Sequence, residues 1–173
     1  MRRRLFGTLA GATLGALVLA LAPAAEAGPL PHPSGKVILK ITGQVANRNS
    51  PDGAEFDLDM LEALGVTEVV THTPWTKGER RFSGVSMQRL LEAVGASGET
   101  VRAVALNDYS IEIPSSDFTA FDTLVATRLD GKPLRVRDKG PLWVVYPWST
   151  YPEIDNVQYH GRSIWQVKQF EVR

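Results

Sequence analysis

Hydrophobic and polar positions alternate along much of this chain, and the alternation predicts strands before any other feature is considered. Val37, Leu39 and Ile41 interleave with Ile38, Lys40 and Thr42, a strand that ends at or shortly after Gly43. Asn47 to Gly53 is turn chemistry throughout. Further β-rich runs cover 66–71, 101–106, 109–113, 124–129, 142–146 and 163–172. Asp130-Gly131 between two of them is a two-residue hairpin signal.

Helical spacing occurs twice. Leu58, Leu61 and Leu64 share one face of a helix over 58–64, with Asp57 as N-cap and Gly65 as terminator. Met87, Leu90, Leu91 and Val94 do the same over 87–94, between Ser86 and Gly95, with Gln88, Arg89 and Glu92 opposite. A strand-helix-strand-helix start followed by a run of strands does not alternate as a doubly wound fold would. The expectation is a single α+β domain with a mixed β-sheet and short surface helices.

The first residues stand apart from this pattern. Arg2, Arg3 and Arg4 precede an apolar run over 9–22, a Pro23 breaker and Ala25-Glu26-Ala27. These are the parts of a secretory signal peptide over 1–27. The run is shorter than the roughly 20 apolar residues of a membrane span. Arg3-Arg4-Leu5-Phe6 has twin-arginine spacing but lacks its flanking residues, so the general secretory route is the simpler expectation. Pro29, Pro31 and Pro33 make 28–35 a stiff linker, and the folded domain is expected over 36–173.

Composition then narrows the function. Lys and Arg number 19 against 19 Asp and Glu, which leaves no basic excess for nucleic acid. Without the signal segment the balance is 16 against 18, about −2. The sequence has no cysteine, which removes disulfides, thiolate metal sites and cysteine nucleophiles. An acidic, exported, disulfide-free domain is expected in a bacterial periplasm.

No G-x-S-x-G, G-x-x-x-x-G-K-[ST], H-E-x-x-H or G-x-G-x-x-G occurs. His32, His72 and His160 are far apart, so a metal site would require folding to assemble His72, His160 and carboxylates; structural histidines are the default. What stands out is a set of planar and charged groups at strand ends: Trp75, Asn107-Asp108-Tyr109, Arg137-Asp138-Lys139, Tyr146-Pro147-Trp148 and Arg162. Together such groups can stack on a flat heterocycle and hydrogen-bond its edge. Each also has a local reading: Asp108 and Asp138 as turn formers, Trp148 and Trp165 as core, Arg137 as a surface charge.

A family resemblance runs through the same residues. G-V-S-M-Q-R-L-L-E-A-V-G-A (84–96), A-L-N-D-Y-S-I-E-I-P (105–114), L-D-G-K-P-L (129–134), D-K-G-P-L-W-V-V-Y-P (138–147) and S-I-W-Q-V (163–167) occur in the order of comparable segments in the sulfite oxidase family. Residues 37–173 therefore resemble its molybdopterin-binding domain, which implies a sulfite oxidase-like fold. The resemblance also implies a molybdenum-ligating cysteine near 72–75, where this chain has none. An arginine of the family pattern is Trp143 or Val144 here.

Short, exported, cysteine-free members resemble pterin-responsive periplasmic regulators of a membrane-bound cyclic-di-GMP enzyme. That likeness implies a reduced pterin bound without metal, and a membrane sensor protein as partner. In the pocket so implied, Asp108 or Asp138 reads the amino edge of the ring and Trp75, Tyr146 or Trp148 covers its face, with Asn107, Tyr109, Arg137, Lys139 and Arg162 around it. Two alternatives are a molybdopterin-dependent oxidoreductase whose metal is held without cysteine, and an adaptor with an empty pocket.

Overall fold

In the computed structural model, which describes residues 29–173, two β-sheets share one hydrophobic core. The first contains β1 (Leu39–Gly43), β2 (Ala54–Phe56), β5 (Thr100–Ala105), β6 (Ser110–Pro114) and β10 (Val167–Val172), ordered β2-β1-β10-β5-β6. β1 and β10 run parallel and the other neighbours antiparallel, so this sheet is mixed. The second is antiparallel, with β3 (Val66–Thr71), β4 (Arg80–Ser86), β7 (Leu124–Leu129) and β8 (Lys132–Pro133) in that order. β9 (Trp143–Val145) pairs with the first half of β7.

Burial follows the sequence periodicity where only one sheet face is covered. β5 alternates, with Val101, Ala103 and Ala105 inside. β9 has all three residues buried, so its run is continuously apolar. Asp130 and Gly131 both adopt positive φ, 48° and 75°, the backbone that a two-residue turn between β7 and β8 demands.

The helices are short: α1 (Leu58–Ala63), α2 (Met87–Ala93), α3 (Ser116–Ala120) and α4 (Val157–Arg162). Asp57 caps α1 as expected, its Oδ1 accepting from Met60 N at 2.9 Å. Ser86 makes no side-chain bond at the start of α2; there Met87 N donates to Thr123 O at 2.8 Å. The chain leading into β7 thus satisfies the orphan donor.

Several elements depart from the sequence pattern. The final strand begins at Val167, because Gln166 takes a left-handed φ of 56° and turns 163–166 out of the sheet. β4, β2, α3 and α4 were not apparent from periodicity. Gly84 explains part of β4: a Cβ there would lie 2.0 Å from Val125 O, so only glycine lets β4 approach β7 at its bulge.

The signal segment 1–27 lies outside the described residues. The proline-rich stretch that follows is tied to the domain: Asp57 Oδ2 accepts from Ser34 N at 2.9 Å and Gly35 N at 2.7 Å. Asn49 Nδ2 donates to Pro31 O at 2.7 Å.

The N–H groups of Met60 and Gly35 hold the Asp57 carboxyl below its usual range. A lowered folded-state pKa contributes stability that is complete above the unfolded value, about pH 4, and is lost as pH falls through the folded value. Asp57→Ala should therefore lower the melting temperature by several degrees at neutral pH, and thermal melts should show the gap to wild type closing in strong acid.

Candidate functional site

The loop 72–79 between β3 and β4, the β5–β6 turn, α4 and the segment after α4 enclose a cleft of about 310 Å³. Trp75, Asn107, Tyr109, His160, Gly161, Trp165 and Gln166 line it, with Ala105, Ser163 and Ile164.

Its wall is an edge-to-face indole cluster. Trp75 lies 5.1 Å from Trp165 and 5.9 Å from Trp143 between ring centroids, at 71° and 60°. Trp148 and His160 stand 6.4 and 6.2 Å from Trp75. Lys139 Nζ sits 3.8 Å from the Trp165 ring centroid, and burial pushes its pKa down. Rings held on several sides present fixed apolar faces to a flat ligand.

Polar groups at the cleft are oriented by bonds made elsewhere. Asn107 Oδ1 accepts from Tyr109 N at 3.2 Å, leaving its amide N–H₂ free among the described residues. Gln166 Nε2 donates to Val136 O at 2.7 Å, leaving Oε1 free in the same sense. His160 Nε2 meets Asp155 Oδ1 at 2.7 Å, and His72 Nε2 meets Oδ2 of the same carboxylate at 2.8 Å. These two bonds, that to His72 first, hold the Asp155 carboxyl below its ordinary range. His72 Nδ1 contacts Ser149 Oγ at 3.0 Å. Asp155 therefore clamps the Trp75 loop to the wall carrying His160.

Of the residues expected at one pocket, Trp75, Asn107 and Tyr109 line this cleft, and Lys139 packs against Trp165. Asp108 points to Lys168, 2.6 Å away, which depresses its pKa, and is absent from the lining. Asp138 pairs with Arg135 at 2.6 Å beside exposed Arg137, facing a different concavity.

Tyr146 and Trp148 are fully buried. Tyr146 Oη donates to Asp117 Oδ2 at 2.7 Å, and burial drives its pKa well up. Arg162 Nη1 donates to the same oxygen at 2.8 Å, fastening α4 to α3. Trp148 Nε1 is buried without a partner among the described residues. His160, Trp165 and Gln166 were not singled out from sequence as binding residues; Trp165 within S-I-W-Q-V was the available signal.

An α+β, two-sheet domain with an indole-walled cleft is the class these features define. Residues 36–151 match the family described as oxidoreductase molybdopterin binding domain, and the chain belongs to that sulfite oxidase-type family. Among solved structures, the chain is similar to the sulfane dehydrogenase SoxCD from Paracoccus pantotrophus, with a TM-score of 0.56 at 16% identity. That match covers 78% of this chain and 37% of the other, and supports the sulfite oxidase-like fold. No curated protein matches by sequence.

The residues do not fit a thiolate-held molybdenum centre. No cysteine is present, and His72, in the stretch where the resemblance implies that ligand, is bonded on both ring nitrogens to Asp155 and Ser149. Among the described residues no three His, Asp or Glu side chains converge as metal ligands.

Asp117 is 4% exposed and Arg162 shares its charge. Removing one partner of a buried pair typically costs about 3–5 kcal/mol. Asp117→Ala should lose stability on that scale in chemical denaturation, and Tyr146→Phe about 1–3 kcal/mol. A change in ligand affinity at unaltered stability would assign these residues to the site instead.

Proposed function

We propose that this domain is a periplasmic binding module for a reduced pterin, exported by cleavage of the segment 1–27, that reports occupancy to a membrane-bound partner such as a cyclic-di-GMP enzyme. The observation that carries the pterin reading is the cleft lining: indole faces, two amides, and no Asp, Glu, Lys or Arg among the lining residues. A reduced pterin keeps a flat pyrimidinone ring whose lactam edge alternates donors and acceptors. The free N–H₂ of Asn107 suits its carbonyl, and Oε1 of Gln166 suits an adjacent N–H. Amides replace the carboxylates expected from sequence, because Asp108 and Asp138 are bonded elsewhere. Family membership supports a pterin-type ligand.

Calorimetric titration with tetrahydrobiopterin tests the reading. Trp165→Ala should weaken binding about tenfold to a hundredfold through lost ring contact, and Asn107→Ala about three- to tenfold. Absence of binding by the wild type, or unchanged binding by both Trp165→Ala and Asn107→Ala, would reject this cleft.

A second measurement addresses the metal. Protein expressed in a host that makes molybdenum cofactor should carry molybdenum far below one atom per chain by elemental analysis. Stoichiometric metal with sulfite or sulfoxide turnover would favour the oxidoreductase alternative.

A further inference from the structure

Residues 132–139 follow the hairpin turn and carry Lys132, Arg135, Arg137 and Lys139 against one carboxylate, Asp138, in a chain of zero formal charge. Arg135 and Arg137 have side chains 61% and 72% exposed, and Val136 between them is 54% exposed. Leu134 is buried beneath and anchors the segment. Asp138 serves both guanidiniums, at 2.6 and 3.9 Å, so the pair of arginines is only half neutralised. Lys132 has no ion pair among the described residues.

Edge protection explains part of this. Lys132 and Pro133 form the short edge strand β8, where lysine and proline discourage sheet-to-sheet association. It does not explain Arg135-Val136-Arg137, which lie at a 3₁₀ turn beyond the sheet. Next to that turn is a concavity of about 600 Å³ lined by Arg80, Lys132 and Arg135 with Leu129 and Leu134; Asp130, which pairs with Arg80, and Asp138, which pairs with Arg135, also line it, so Lys132 is its one cation without an ion pair among the described residues.

The same segment is bonded to the cleft. Val136 O accepts the Gln166 amide at 2.7 Å, and Lys139 O accepts Gln166 N at 3.0 Å. Lys139 Nζ stacks on Trp165. A ligand that touches Gln166 and Trp165 therefore touches the two residues that hold the segment from behind.

From this we infer that residues 132–139 are a docking surface for an acidic segment of a partner protein, with cleft occupancy felt there through Gln166 and Lys139. The occupant is argued from charge and shape. Half-neutralised arginines flanking an exposed valine suit a chain carrying carboxylates and small apolar side chains, and the concavity has room for such side chains. A bilayer is the poorer match, because one exposed valine offers little area to insert. The docking surface stands on its own; the coupling rests on the pterin reading.

The test is fluorescence anisotropy of a labelled peptide alternating Glu and Val, titrated with the purified protein. Wild type should bind with salt-sensitive affinity. Arg135→Glu/Arg137→Glu should lose at least about tenfold, and the control Arg48→Glu should change little. Saturating tetrahydrobiopterin should shift peptide affinity about fivefold or more. Peptide binding that is absent, or unaltered by the double reversal, overturns the docking surface. So does binding of the wild type to phosphatidylglycerol vesicles but not to the peptide. An unshifted peptide affinity with pterin demonstrably bound overturns the coupling, whereas no pterin binding at all removes the coupling together with the cleft reading and leaves the peptide result to decide the surface.

Discussion

A carboxylate that is almost out of water must be answered from more than one side, and Asp117 imposes that demand on the whole cleft end of the molecule. Its Oδ2 receives both the Tyr146 hydroxyl, from just past β9, and the Arg162 guanidinium, from the last turn of α4. α4 has only six residues and no fully buried side chain, so its length alone would not hold it. The ion pair fastens it together with edge-to-face packing of Tyr159 on Phe121 and Tyr146 and of His160 on Trp148, and Arg162 lies over the Tyr159 ring at 4.9 Å. Once α4 is fixed, His160 and Gly161 face the cleft and the chain leaves in the direction that brings Trp165 and Gln166 to it. The site is built on a helix that a buried charge holds in place.

The remaining charges near the cleft are cancelled before they reach it. Asp155 is taken by two imidazoles, Asp108 by Lys168, and the Lys139 ammonium lies against indole rather than open to the cleft. What is left to meet a ligand is apolar ring surface, two amides, one imidazole and the Tyr109 phenol, since the Ser163 hydroxyl is taken by Trp143 and Val144. A neutral heterocycle loses little on entering such a site, while a free anion would forfeit hydration without a facing cation. Pairing, rather than the number of charged residues nearby, sets the charge that the cleft presents.

Much of the fold was legible in the chain, and the limits are physical. Alternation exposed β1, β-rich composition β5 and β7, Asp130-Gly131 the hairpin, and Asp57 the start of α1, because each depends on residues close in sequence. β4 was hidden: it opens with Arg80 and Arg81 and buries Ser83 and Gly84 between Phe82 and Val85, so neither alternation nor an apolar run marks it. At the site, Trp75, Asn107 and Tyr109 were legible as loop residues at strand ends. Tyr146 and Trp148 looked equivalent to them, yet the chain past β9 stays inside, and no local signal distinguishes a buried strand end from an exposed one. The partners that divert Asp108 and hold Tyr146 are 60 and 29 residues away, beyond any spacing argument.

The loop 72–79 shows what the domain does with a position where its family resemblance implies a metal ligand. His72 is bonded to Ser149 and Asp155, Thr73 Oγ1 lies 2.9 Å from Thr76 Oγ1, and Trp75 N donates to Thr73 Oγ1 at 3.1 Å. Each bond removes freedom from the loop, and together they fix the Trp75 ring before any ligand arrives. Trp165 is fixed similarly, by Trp75 on one side and Lys139 on another. Tyr109 differs, being 54% exposed in a turn. A ligand entering this cleft therefore meets two preset walls and one adaptable ring, so the entropy lost on binding falls mainly on Tyr109. The bonds within the loop 72–79 and the contact with Trp165 thus make Trp75 a rigid aromatic face of the cleft.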